Sequence, residues 1–132
     1  MSRFRASLRI VHPTCDLSAF DLILEEQASR SWVAGSERST PTGSKLDGVN
    51  SNSYRAYSVY NESSSIGIAE AIASVAGKLE SHKNSIAEIL GEDGAMELFI
   101  SVIDPDAPGD TLPWALLYRL GCLQVSLSLA GQ

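Results

Sequence analysis

Apolar and polar residues alternate near both ends of the chain. The alternating apolar positions are Phe4, Ala6, Leu8 and Ile10 in the first segment and Leu123, Val125, Leu127 and Leu129 in the last. A period of two is typical of a strand with one buried face. Two central segments rich in aromatic and β-branched residues are also typical of strands. We therefore predict four strands, near residues 4–11, 54–61, 96–103 and 122–129.

Between these strands, apolar residues recur every three or four positions, which is the period of a helix packed on one side. The clearest stripe is Ala69, Ile72, Ala73, Ala76 and Leu79. We expect this helix to break near 81–85 and a shorter one to end at Gly91. A first helix follows residue 16 and carries Leu17, Phe20, Ile23, Leu24 and Gln27. A last helix is predicted from Leu112 to Leu120, capped by Thr111 and stopped by Gly121.

The predicted order is β-α-β-α-β-α-β. Strands of a sheet that is covered on both faces are nearly continuous apolar runs. The strict alternation in the first and last strands therefore argues against such a sheet. The predicted fold class is therefore α/β (α+β), a two-layer sandwich with about four strands and helices mainly on one face. Residues 1–132 are expected to form a single domain.

Charge and composition exclude several classes of protein. Sixteen acidic residues against ten basic ones give a net charge of −6, which disfavours nucleic acid as a partner. No apolar run approaches the ~18–20 residues needed to span a membrane, and no signal-peptide pattern is present. Two cysteines make no disulfide scaffold. We expect a cytoplasmic protein in which Cys15 and Cys122 are reduced thiols.

The connection from residue 29 to residue 53 is longer than the ~12–15 residues usual for a segment without regular structure. Its content of Gly, Pro and Trp predicts an ordered functional loop. Trp32 is either an anchor that holds the loop to the domain or part of a recognition surface. Arg38 and Lys45 could bind an anion, although charged loop residues are usually just solvated. We expect Arg38 to project as a donor to a carboxylate or another anion.

Catalytic signals are weak. His12 and Cys15 lie three residues apart, but no third group accompanies them, and chance proximity is the favoured interpretation. Asp104 and Asp106 flank Pro105, which is ordinary turn chemistry as well as a candidate acid or cation site. A metal set of His12, Cys15, His82 and Cys122 lacks any specific spacing.

Because these signals are weak, we predict no catalytic residue, metal or cofactor. The predicted binding residues are Trp32, Arg38, Lys45 and Asp104. A protein partner or self-association through the polar sheet face is expected, with monomer and homodimer both left open. Its positions include Ser7, Phe99, Ser101, Gln124, Ser126 and Ser128.

Within the long connection, three motifs suggest a family. They are Ser29-Arg30-Ser31-Trp32-x-x-Gly35, Pro41-x-Gly43-x-x-Leu46-x-Gly48 and Ser53-Tyr54. Together with the helix–break–helix after Ser65 and the Leu120-Gly121-Cys122-Leu123 step, they resemble a bacterial family catalogued as domain of unknown function 4279. The chain departs from that family's pattern at Gln27-Ala28-Ser29 and at Ala56.

The resemblance carries over no catalytic residues, because the family has no established activity. We expect a non-catalytic protein-binding module. The alternatives are an immunity-like protein that neutralises a toxin and a small enzyme with a site near Asp104, His12, Cys15 and Arg38.

Overall fold

The computed structural model describes residues 4–60, 66–103 and 111–131. The elements in chain order are β1 (Phe4–His12), α1 (Phe20–Leu24), β2 (Arg30–Trp32), β3 (Glu37–Ser39), β4 (Lys45–Val49), β5 (Ser53–Tyr60), α2 (Ile68–Glu80), α3 (Lys83–Leu90), β6 (Ala95–Val102), α4 (Trp114–Cys122) and β7 (Val125–Gly131). The fold is α+β. Asp104 lies outside the described residues, and no described helix has the length and apolar character to cross a membrane.

Five strands form a mixed sheet in the order β2-β5-β1-β6-β7. Its pairs are antiparallel except for β6 and β7, which are parallel. The two remaining strands, β3 and β4, form a separate antiparallel hairpin. A parallel pair needs a crossover connection, and α4 provides it between β6 and β7.

The predicted number and order of strands were wrong. All four predicted strands are present, but the connection 29–53 adds β2 to the main sheet and contains the hairpin β3–β4. These three additional strands have only three to five residues each and lie at the surface. Such short segments bury no apolar face, so no period of two marks them in the sequence.

The predicted boundary between the last helix and the last strand was also wrong. The helix begins after Pro113 rather than after a Thr111 cap, and it continues through Gly121 and Cys122. The backbone N–H of Leu123 donates to the carbonyls of Arg119 and Leu120, and Gln124 takes a positive φ of 60°. The turn therefore falls at residues 123–124, and the strand starts at Val125.

The core lies on one face of the sheet. Along β1, the residues at Phe4, Ala6, Leu8 and Ile10 are buried and those between them are more exposed. They pack in one cluster with buried residues of all four helices. The predicted break between α2 and α3 is confirmed, with the second helix ending at Gly91 at φ 56°. The first helix is shorter than predicted because Glu25 takes a left-handed conformation after only five helical residues.

Candidate binding surface at the β2 edge

The sheet face opposite the core, called the open face, carries polar and aromatic residues in cross-strand rows. From the strand registers, these rows are Arg30–Ala56–Arg9–Glu97–Ser126, Trp32–Tyr54–Val11–Ala95 and Ser58–Ser7–Phe99–Ser128. The predicted positions Ser7, Phe99, Ser126 and Ser128 thus share this face. Gln124 does not, because it lies in the turn before β7.

Three interactions order the centre of the open face. The guanidinium of Arg9 lies 4.1 Å from the ring centre of Phe99 and 3.5 Å from a carboxylate oxygen of Glu97. The hydroxyl of Ser128 donates to the other Glu97 oxygen at 2.7 Å. The only carboxylate in these three rows is therefore already engaged, and the rows carry arginine, serine and aromatic groups.

At one edge of the sheet, β2 is attached to β5 by hydrogen bonds that reach beyond the strand itself. The Ser29 backbone N–H donates to the carbonyl of Ala56 at 2.8 Å, and the Ala34 N–H donates to the Ser53 hydroxyl at 3.0 Å. Ser53 is fully buried. These contacts hold the start of the long connection to the body of the domain.

The hairpin β3–β4 is exposed along its whole length, yet its base is closed by one asparagine. The Asn50 backbone exchanges hydrogen bonds with Gly35 and Ser36, and its side-chain amide donates to Ser36 and to the carbonyl of Glu37. Its tip is a turn in which Gly43 takes φ 93°, a value that glycine adopts without strain. An isolated two-stranded hairpin is marginally stable in water, so we attribute the regular structure of β3–β4 to the Asn50 contacts.

Trp32 is partly buried where β2 meets this hairpin. Its ring stacks on Tyr54 with 4.5 Å between ring centres, and its indole N–H donates to the side-chain oxygen of Asn52 at 3.2 Å. The Arg30 guanidinium lies 5.1 Å from the ring centre. The structure is therefore consistent with the anchor interpretation of Trp32, and part of the ring surface remains exposed.

Two clefts adjoin Trp32, and Asn50 lines both of them. The first, of about 350 Å³, is lined by Ser29, Arg30, Ser31, Trp32, Ser39, Thr40, Pro41, Gly43 and Asn50. The second, of about 400 Å³, is lined by Trp32, Arg38, Val49, Asn50, Ser51 and Asn52. Each lining contains one arginine, and among the described residues neither contains a carboxylate. The charged group in each described lining is thus an arginine, in a chain with an excess of acidic residues.

The two cations predicted in the long connection have different surroundings. Arg38 is exposed and lines the second cleft, and it donates one hydrogen bond at 3.1 Å to the Asp47 carbonyl across the hairpin. A guanidinium has five N–H donors, so most of its capacity remains for a ligand. Lys45 lies 3.5 Å from Glu37 in an exposed pair and is not part of either cleft lining.

Of the candidates for an enzyme site, His12 has a structural role. The Nδ1 atom of buried His12 accepts hydrogen bonds from the backbone N–H groups of Thr14 and Cys15, at 3.0 and 2.9 Å. That nitrogen therefore has no lone pair free to act as a base. Neither His12 nor Cys15 lines the cleft that contains Arg38, and no group of three potential metal-binding side chains occurs among the described residues.

One polar cluster escaped prediction. Asp21 on α1 accepts hydrogen bonds from Arg55 at 2.8 and 3.1 Å and from the Tyr57 hydroxyl at 2.6 Å. Hydrogen bonding to Arg55 lowers the pKa of Asp21 and, reciprocally, raises the pKa of Arg55, whereas burial raises the pKa of Tyr57. Arg55 lies opposite Ser31 of β2 in the strand register. The cluster therefore connects α1 to β5 at the position where β2 pairs with β5, and we call it the brace. In the sequence, Asp21 looks like a helix-capping residue and Arg55 like a polar strand residue. Nothing in the sequence pattern indicates that the two side chains are in contact.

Comparison of the chain with family models, with curated proteins and with solved structures found no match.

Proposed function

We propose that this protein is a non-catalytic protein-binding module whose binding surface is formed by β2, the hairpin β3–β4 and the two clefts beside Trp32. The observation that carries the proposal is that Arg30 and Arg38 line clefts beside a positioned aromatic ring, and that the described lining residues of these clefts include no carboxylate. Tryptophan and arginine are the residues that most often dominate binding energy at protein interfaces. A ring that is already fixed by Tyr54 and Asn52 loses little freedom on binding.

The chemistry of the clefts favours an acidic segment of a partner protein. Arginine forks pair with carboxylates, and the serine, threonine and asparagine groups around them can bond to a peptide backbone. In this proposal Arg38 contacts the partner directly, while Lys45 contributes only to the local charge because Glu37 engages it. His12 was one of the residues that suggested an enzyme. Its Nδ1 atom accepts hydrogen bonds from a backbone turn, which favours the binding module over the enzyme.

The proposal retains three further expectations. We infer a two-layer sandwich, with the helices on the core side of the sheet, because the buried residues of the helices and of one sheet face share one cluster. We also propose membership of the family of unknown function 4279, which rests on the sequence motifs of the long connection. A cytoplasmic location fits two exposed free thiols, Cys15 and Cys122, because such thiols persist in reducing compartments.

Affinity capture with matched variants tests this function. The wild-type chain, Arg38→Ala and Lys83→Ala are immobilised at equal density and exposed to host extract, and the captured proteins are compared by mass spectrometry. Lys83 is an exposed cation on α3, away from the clefts. We expect at least one protein to be retained by the wild type and by Lys83→Ala and lost with Arg38→Ala. Identical capture by all three chains, or no specific capture, would contradict the proposal.

A further inference from the structure

The far edge of the sheet is formed by β7, and within the part of the chain that the structure describes it shows none of the devices that usually protect an edge strand. Its seven residues, Val125–Gly131, include no charge and no proline. Its pairing with β6 runs in regular register without a bulge, and no other described strand pairs with it. Natural proteins shorten, charge, bend or cover such edges, because unpaired backbone groups recruit another strand. A long uncharged edge therefore indicates an occupant.

Exposed apolar side chains lie beside this edge. Leu129 is opposite the fully buried Ile100 in the strand register, yet 63% of it is exposed. On α4, the residues on the outer side at helical spacing are also exposed, namely Trp114 (79%), Leu117 (45%) and Tyr118 (67%). The opposite side of this helix is buried through Leu116 and Leu120.

The connection geometry places these two apolar groups together. Because α4 joins the parallel strands β6 and β7, it runs antiparallel to them. Its nine residues extend about 13 Å, which is also about the length of the strand from Val125 to Leu129. The first turn of α4, with Trp114, therefore lies level with the end of β7 that carries Leu129. The edge and the exposed stripe of α4 form one surface.

We propose that this surface binds a second copy of the chain, with the two β7 strands paired antiparallel about a twofold axis. The two five-stranded sheets would then be continuous, and each α4 stripe would face its own equivalent. A twofold interface brings the same patch of both copies together, and this patch is self-complementary because it is apolar and uncharged. Two chains of net charge −6 can meet here without opposing like charges on the strands.

The open face is a poorer place for self-association. A face-to-face dimer would bring the arginine-bearing rows of both copies together, and like charges across an interface are unfavourable. The predicted contact between copies is therefore at the β7 edge rather than on the open face. It leaves β2 and the clefts beside Trp32 free, so the dimer is independent of the proposed partner binding.

Sedimentation velocity over a range of protein concentrations tests the dimer with a matched pair of variants. Leu129→Lys places a charge at the edge, and Leu22→Lys places the same charge on α1, where the leucine is 83% exposed. We expect the wild type and Leu22→Lys to dimerise reversibly with the same dissociation constant. Leu129→Lys should raise that constant about tenfold or more. Far-ultraviolet circular dichroism checks that both variants are folded.

Two results would overturn the proposal. One is a wild-type chain that stays monomeric at every concentration. The other is a dimer that Leu129→Lys weakens no more than Leu22→Lys does. A heterologous strand occupying β7 would give the first result, because the chain alone would then show no self-association.

Discussion

At one edge of the sheet, β2 has three residues, carries Arg30 and has the hairpin β3–β4 beside it. At the other edge, β7 has seven uncharged residues and pairs only with β6 among the described strands. The first edge is short, charged and flanked by a hairpin, which are known ways of preventing non-specific strand pairing. The described residues at the second edge show none of these features. The difference indicates two kinds of contact. In the two proposals made above, the polar surface at β2 binds a protein partner through its side chains, whereas the backbone of β7 pairs with an identical strand.

The largest effect is expected from removing the brace beneath the β2 edge. Asp21→Ala leaves the buried Tyr57 hydroxyl without its acceptor and removes two of the hydrogen bonds of the mostly buried Arg55, whose Nε–H still donates to the Tyr57 oxygen. Hydrogen bonds to a charged group contribute about 1.5–3 kcal/mol, so we expect the free energy of unfolding to fall by about 2–3 kcal/mol. Urea denaturation measures it, with Glu88→Ala on the exposed side of α3 as control. Equal stability of the two variants would show that β5 needs no such brace.

Two tryptophans allow the edges to be compared directly. Trp32→Ala removes the stack on Tyr54 and a partly buried ring, so the free energy of unfolding should fall by about 1–2 kcal/mol. Trp114→Ala removes a ring that is 79% exposed and should change the stability of the monomer by less than about 0.5 kcal/mol. Denaturation at concentrations that keep the chain monomeric gives both values. A reversed order would mean that the Trp32 ring is not anchored.

The same brace predicts a pH dependence. Because hydrogen bonding to Arg55 lowers the pKa of Asp21 in the folded protein, its stabilisation is present above the unfolded pKa and is lost as pH falls through the folded pKa. The difference in unfolding free energy between the wild type and Asp21→Asn should therefore shrink below about pH 4. Arg119 likewise lowers the pKa of Glu80, and Glu80→Gln should show the same trend more weakly because that pair is more exposed. A difference independent of pH would exclude the Asp21 contribution.

The smallest effect on folding is expected at Arg38. Its guanidinium makes one hydrogen bond to the exposed hairpin, so Arg38→Ala should change the free energy of unfolding by less than about 0.5 kcal/mol while partner binding is lost. Comparing denaturation curves with binding to a captured partner separates these effects. A large loss of stability would mean that Arg38 is a structural residue. The proposal that Arg38 contacts a partner at the β2 edge would then be contradicted.

The sequence predicted those parts of the fold in which burial imposes a period. The strands β1 and β6 and the helices α2 and α3 each bury a regular set of side chains, and their positions were found within a few residues. The strand β5 buries its side chains less regularly and was found from its aromatic and β-branched content instead. Exposed strands such as β3 and β4 have no such period, so the long connection was expected to be one loop. Trp32 and Arg38 stood out as unusual residues in that connection. The Asp21–Arg55–Tyr57 cluster did not, because its members meet only after α1 packs against β5.

Hydrogen exchange measured by mass spectrometry at low and high protein concentration tests the contrast between the two edges most directly. Amides in a paired strand exchange more slowly than those at an open edge. Residues 125–131 should gain protection as concentration rises, while residues 30–34 keep the same exchange rate. If both segments are independent of concentration, or if residues 30–34 gain the protection instead, the assignment of self-association to β7 and of partner binding to β2 is contradicted.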